Sequence, residues 1–135
     1  MSSATPVNEY VTDTMGFVLR LEQRRLGSMT KALFEAMEAG SVIMHIPTMV
    51  FAEILYLSEK KRISLTLHSV DEYLARFPNC RGFPLSLHVV QAAGEITDIP
   101  ELHDRLIAAT ARVHNVELIT NDPVIQSSAF VRTLW

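Results

Sequence analysis

Short unbroken apolar runs alternate along the chain with stretches whose apolar residues recur three and four positions apart, the mark of buried strands alternating with amphipathic helices. Tyr10 to Thr12 reads as a short strand ending at Asp13. Thr14 opens a helix carrying Met15, Val18, Leu19 and Leu26, which Gly27 closes. Ser28 caps a second helix over Met29 to Ala39, with Leu33, Phe34 and Met37 on one face and Gly40 at its end. Ser41 to Ile46 predicts a buried strand, and Pro47 fits the first turn of a helix reaching about Lys61. Val70 to Phe77 predicts a short helix, Pro78 to Pro84 a loop, Leu85 to Leu87 a strand and His88 to Glu95 a helix. Asp98-Ile-Pro-Glu101 has the form of a capping box before a helix over Leu102 to His114. Glu117 to Thr120 is a strand, Asp122-Pro123 starts a short helix, and Val131 to Trp135 is a last strand. Alternating strands and helices of this kind give an α/β fold whose parallel sheet is covered on both sides.

Composition narrows this picture. At 135 residues, 48% hydrophobic and 20% charged, the chain is one globular domain and is not disordered; residues 1–8 are a short flexible segment before a single domain over 9–135. Cys80 is the sole cysteine, which excludes a disulfide framework or a multi-cysteine metal site and suits a reducing compartment, the cytoplasm. No apolar run reaches membrane-spanning length, and the start has neither a basic nor an apolar signal region, so a soluble, unexported protein without a membrane partner is expected. The net charge of −3 advertises no nucleic acid by itself. Leaving out four clustered carboxylates would raise it to +1, which permits a polyanion partner.

Several chemistries lack their motifs. The five glycines form neither GxGxxG nor GxxxxGK[ST], and there is no GxSxG elbow. A phosphoacceptor at Asp13 would want a late lysine, and the last one is Lys61. His88, His103-Asp104 and Asp122 superficially match the H…HD…D metal phosphohydrolases, which are all-helical, unlike this chain. His45 is expected to be packed within its strand and the other histidines to lie at the surface. Met15, Met29, Met37, Met44 and Met49 are expected to fill the core.

Four carboxylates resist so plain a reading. Glu53 has Met49, Val50, Tyr56 and Leu57 as its helical neighbours and no cation among them. Burying an unpaired ion costs several kcal/mol, so Glu53 either reaches water or a distant Arg at an edge, or serves a site. Asp13 and Asp122 each follow a strand and open a helix, which suits an N-cap, but the carboxyl ends of parallel strands are also where ligands bind. Asp104 suits the dipole of a first helical turn, yet it has acidic Glu101 three residues before it and no basic residue three or four positions away. Each close pair in such a cluster costs about 4 kcal/mol at 4 Å and an effective dielectric of about 20, so the cluster calls for a cation. All-oxygen ligands point to Mg²⁺ or Mn²⁺ and to phosphate-ester chemistry. Arg20, Arg24, Lys60, Lys61 and Arg62 are candidate backbone-phosphate contacts or simply solvated helix positions.

VTDTMGFVLRL, PTMVFAEI, ELHDRLIAATARVHNVELITND and the final VRTLW together resemble PIN domains, in particular the VapC-like toxins of toxin–antitoxin pairs. The resemblance runs from Glu9 to Trp135. It implies a three-layer sandwich with a central parallel sheet and helices on both faces, Mg²⁺- or Mn²⁺-dependent endoribonuclease activity on an RNA substrate, a homodimer, and a small antitoxin partner. The family's acidic positions fall on Asp13, Glu53, Asp104 and Asp122, and its accessory polar positions on Thr14 and Thr120. Met15 and Gly16 stand where many relatives carry Asn or another small polar residue. The rival from another class is a catalytically silent PIN-like module that binds protein or RNA.

Overall fold

The computed structural model of the protein describes residues 8–135. Residues 1–7 of the expected flexible segment lie outside the described residues, while Asn8 already pairs with Val42. The strands are β1 (Asn8–Thr12), β2 (Val42–Pro47), β3 (Cys80–Phe83), β4 (Glu117–Ile119) and β5 (Thr133–Leu134). They form one parallel sheet in the order β3-β2-β1-β4-β5. The helices are α1 (Thr14–Leu21), α2 (Ser28–Glu38), α3 (Thr48–Glu59), α4 (Leu67–Arg76), α5 (Leu87–Glu95), α6 (Leu102–His114) and α7 (Pro123–Gln126). Val11 and Thr12, like Met44 through Pro47, are buried at consecutive positions, so both faces of the central strands are covered and the fold is an α/β sandwich. On one side, Phe17 of α1 meets Phe51 of α3 and Tyr73 of α4 edge-on, with ring centroids 6.5 and 5.8 Å apart.

Local differences from the sequence reading have local causes. The first helix ends at Leu21, and Gln23 takes the left-handed φ of 57°, so Leu26 and Gly27 belong to the connection. Gly27, not Ser28, is the N-cap of α2, and no side chain caps it. Pro47 closes β2 opposite Phe83 and is the N-cap of α3, one position before its first turn. The expected loop over Pro78 to Pro84 contains the edge strand β3, in which only Cys80 is buried and Arg81 and Gly82 are exposed; such a strand has no apolar alternation to read. Leu85 to Leu87 is not a strand, because Ser86 caps α5 by accepting from the Val89 amide. Likewise Thr66 caps α4 a turn before Val70. Asp98 does not close a capping box: Glu101 is the N-cap of α6, and Asp98 instead accepts from the Ser128 hydroxyl and the Ala129 amide. Met37 and Met44 are core residues, but Met15 and Met29 are exposed.

A Cβ added at Gly27 would lie 2.5 Å from Cδ1 of Trp135 and 2.7 Å from its carbonyl carbon. Gly27→Ala should therefore cost about 1–3 kcal/mol in urea unfolding, followed by the fluorescence of Trp135, the sole tryptophan. A change within about 0.5 kcal/mol would show that this packing is dispensable.

Candidate active site

Strand order reverses at β1, which has β2 on one side and β4 on the other, so the carboxyl ends of β1 and β4 flank the switch point where open parallel sheets bind ligands. Asp13 follows β1 there. Its backbone is extended (φ −79°, ψ 178°), and its amide donates to the Ile119 carbonyl at 3.0 Å, extending the ladder by one residue. The Oδ1 atom accepts from the Gly16 amide at 2.8 Å and Oδ2 from the Thr120 hydroxyl at 2.6 Å. One carboxylate thus starts α1 and also reaches across to Thr120, just past the end of β4. Gly16 makes this possible: a Cβ there would sit 2.5 Å from the Thr12 hydroxyl and 3.2 Å from Oδ1 of Asp13.

Around Asp13 the other three acids line one cleft of about 330 Å³, together with Thr14, Met15, Leu57, Ile107 and Asn121. Thr14, one residue into α1, donates its hydroxyl to Oε1 of Glu53 at 2.5 Å, so α1 aims the Glu53 carboxylate from α3. Asp122 caps α7 by accepting from the Val124 amide at 2.9 Å, while its own amide donates to the Thr120 hydroxyl at 3.1 Å. Thr120 is therefore the bridge between Asp13 and Asp122. Asp104 enters from the first turn of α6, where its amide donates to Oε2 of Glu101 at 2.8 Å.

Burial pushes the Asp13 carboxyl up to about 6, against the hydrogen bonds from Thr120 and Gly16, and the charges of Asp122 and Glu53 add to the rise. Asp104 is also pushed up to about 6, by burial first and then by the charges of Glu101, Asp122, Glu53 and Asp13. Asp13 thus feels two of the other acids of the cluster, and Asp104 all three. Among the described residues none of the four is paired with Lys or Arg. His103, half exposed, stands with Nδ1 4.0 Å from Glu53 and 3.7 Å from Glu101.

The candidate phosphate contacts lie elsewhere. Arg20 grips Glu38 through Nε at 2.9 Å and Nη2 at 2.5 Å, and Arg24 pairs with Glu22 at 3.1 Å. Both line a separate depression between α1, α2 and α4. Lys60, Lys61 and Arg62 are exposed just past the end of α3. Asn121, which lines the cleft, carried no signal in the sequence. His114, expected at the surface, is half-buried and shares Glu9 with His45.

Residues 10–131 match the model of the PIN domain family. The chain belongs to that family. No curated protein sequence matches it. Among solved structures this PIN domain is similar to Rickettsia felis VapBC2 bound to a promoter DNA fragment, with a TM-score of 0.72 and 20% identity over 94% of this chain and 98% of that one. A toxin–antitoxin complex from Klebsiella pneumoniae gives 0.65 and 17% over 93% and 96%. VapC20 of Mycobacterium tuberculosis, a sarcin-ricin loop cleaving toxin, gives 0.60 and 15% over 90% and 96%. At such identities the likeness is one of fold.

Because Asp13 and Asp104 hold protons in the folded protein to about pH 6, folding takes up protons between about pH 4 and 6, and their contribution to stability falls as pH rises through that window. Asp13→Asn removes its share. In metal-free urea titrations the wild type should lose on the order of 2–3 kcal/mol more than Asp13→Asn between pH 4 and 7. Parallel pH profiles for the two proteins would show that Asp13 is an ordinary cap.

Proposed function

We propose that this PIN domain is a Mg²⁺- or Mn²⁺-dependent endoribonuclease, the toxin of a toxin–antitoxin pair held in check by a small antitoxin protein. The observation that supports it most is the cleft in which four carboxylates, without Lys or Arg partners among the described residues, converge at the sheet's switch point, with two of them raised to about 6. Burial accounts for that rise first and neighbouring carboxylates add to it, a setting that simple surface caps or ion pairs do not have. The fold shared with toxin complexes and with a sarcin-ricin loop cleaving toxin favours the same reading.

The donor set fits a hard divalent cation, since every donor is oxygen and the net charge of the unneutralised cluster is strongly negative. No three of these carboxylates bring one oxygen each within 4.8 Å of the others. That spacing suits Mg²⁺, which commonly keeps several waters and takes only one or two carboxylates. Asp13 and Asp122 would hold the ion, with Asp104 joining directly or through water. When bound, the ion lowers the pKa of a water and offsets charge on the leaving oxygen.

The chain's own residues supply the rest. Thr14 fixes Glu53 at the rim, where its carboxylate orients the attacking water. Thr120 locks Asp13 and Asp122 to one another, so the two strand ends cannot drift apart. Burial of Asp13 keeps bulk water from its inner oxygens and strengthens its field in the cleft. The Lys60, Lys61 and Arg62 run offers contacts to the RNA backbone flanking the scissile bond, whereas the guanidinium of Arg20 is engaged by Glu38.

Purified protein should cut single-stranded or structured RNA with Mg²⁺ or Mn²⁺ and stop with EDTA. Asp13→Asn and Asp122→Asn should each lower the rate by roughly two orders of magnitude while circular dichroism stays native. Cleavage that persists in EDTA would contradict the metal dependence, and failure of the wild type to cut RNA under any of these conditions would leave a silent binding module.

A further inference from the structure

At the far end of α6 from the carboxylate cleft, three side chains converge that no step above uses. Asp104 and His114 are ten residues apart on this helix, about 15 Å along its axis, so the second cluster is separate from the carboxylate cleft. Glu9 is on β1 and His45 on β2. The register pairs Glu9 with Ile43 and Val11 with His45, so Glu9 and His45 project from the same face, diagonally across the strand pair. Nε2 of His45 is 2.8 Å from Oε1 of Glu9, and Nε2 of His114 is 3.1 Å from the same oxygen. The two imidazole rings stand 4.3 Å apart at 61°. Phe83 closes one side edge-on, its ring centroid 5.6 Å from that of His45 and 5.4 Å from that of His114.

Among the described residues this is the one trio of His, Cys, Asp or Glu whose ligand atoms all lie within 4.8 Å of one another. Bonds of 2.0–2.2 Å to a tetrahedral ion put ligand atoms about 3.3 Å apart, so the side chains need only small adjustments to close on one. Two imidazole nitrogens and a carboxylate oxygen are the donors of a borderline transition metal, not of Mg²⁺, and such three-residue sites leave a fourth position for water. Entry is open, because the side chains of Glu9 and His114 are 35% and 30% exposed while His45 is 10% exposed and forms the floor. Arg81, the registered neighbour of His45 on β3, directs its Nε to the Pro78 carbonyl. We propose that Glu9, His45 and His114 form a second metal site, of the Zn²⁺ class, that clamps β1, β2 and the end of α6 together independently of the carboxylate cleft.

The test is a Zn²⁺ titration of the EDTA-stripped full chain by calorimetry, in excess Mg²⁺ so that the carboxylate cleft is competed. Melting curves and the visible spectrum of the Co²⁺-loaded protein accompany it. One Zn²⁺ equivalent should bind and raise the melting temperature, and Co²⁺ should give the absorption of a low-coordinate site with imidazole ligands. His114→Gln, His45→Gln and Glu9→Gln should each weaken that equivalent at least about tenfold, and Asp104→Asn should leave it in place. Should buried His45→Gln misfold, the more exposed His114→Gln and Glu9→Gln decide. No saturable Zn²⁺ binding, binding unchanged in His114→Gln and Glu9→Gln, or binding lost only in Asp104→Asn would each overturn the site.

Discussion

Asp13 is 7% exposed, and among the described residues no Lys or Arg pairs with it; its two carboxylate oxygens are held by the Gly16 amide and the Thr120 hydroxyl. A buried carboxylate satisfied in this way joins β1 to β4 and at the same time begins α1. The arrangement stays tolerable because both oxygens keep hydrogen bonds, and because the acid can hold a proton to about pH 6. Removing Thr120 or adding a side chain at Gly16 would take away one of those supports. Thr120 ties Asp122 to this carboxylate, and Thr14, the next residue after Asp13, holds Glu53.

The remaining acids arrive by separate routes that the topology makes converge. Asp122 lies just beyond β4, the neighbour of β1, so the strand pairing brings it beside Asp13. Glu53 comes from α3, which packs on α1, and the hydroxyl of Thr14 fixes it. Asp104 stands in the first turn of α6, whose buried stretch from Leu106 to Ala111 packs this helix onto the sheet. Its far end carries His114 to Glu9 and His45. One helix thus connects the proposed hydrolytic cleft to the histidine cluster at its own far end.

Much of this was legible from single residues. Glu53 stood out because a carboxylate in an apolar helical stripe needs a reason, and Asp13 and Asp122 because each follows a strand and opens a helix. The parallel sheet followed from apolar runs without alternation. What could not be read depended on contacts remote in sequence or on weak local signals. Edge strand β3 carries Arg81 and Gly82, which look like a loop, and Gly27 serves Trp135 at the other end of the chain. Glu9, His45 and His114 are 36 and 69 residues apart, so no ligand spacing marks them, and only the register of β1 with β2 and the end of α6 join them.

The central claim is that the four carboxylates form one mutually repelling cluster shaped for a cation, and melting curves of the wild type, Glu53→Gln and Asp104→Asn in EDTA and in excess Mg²⁺ test it most directly. Without metal, each amide removes repulsion of about 1–2 kcal/mol after screening, so both variants should melt above the wild type. With Mg²⁺ the wild type should gain stability as RT ln(1 + [L]/Kd), the variants should gain less, and the ranking should reverse. If both variants melt below the wild type in EDTA and Mg²⁺ moves none of the three proteins, the carboxylates are independent caps and no shared cation cluster exists.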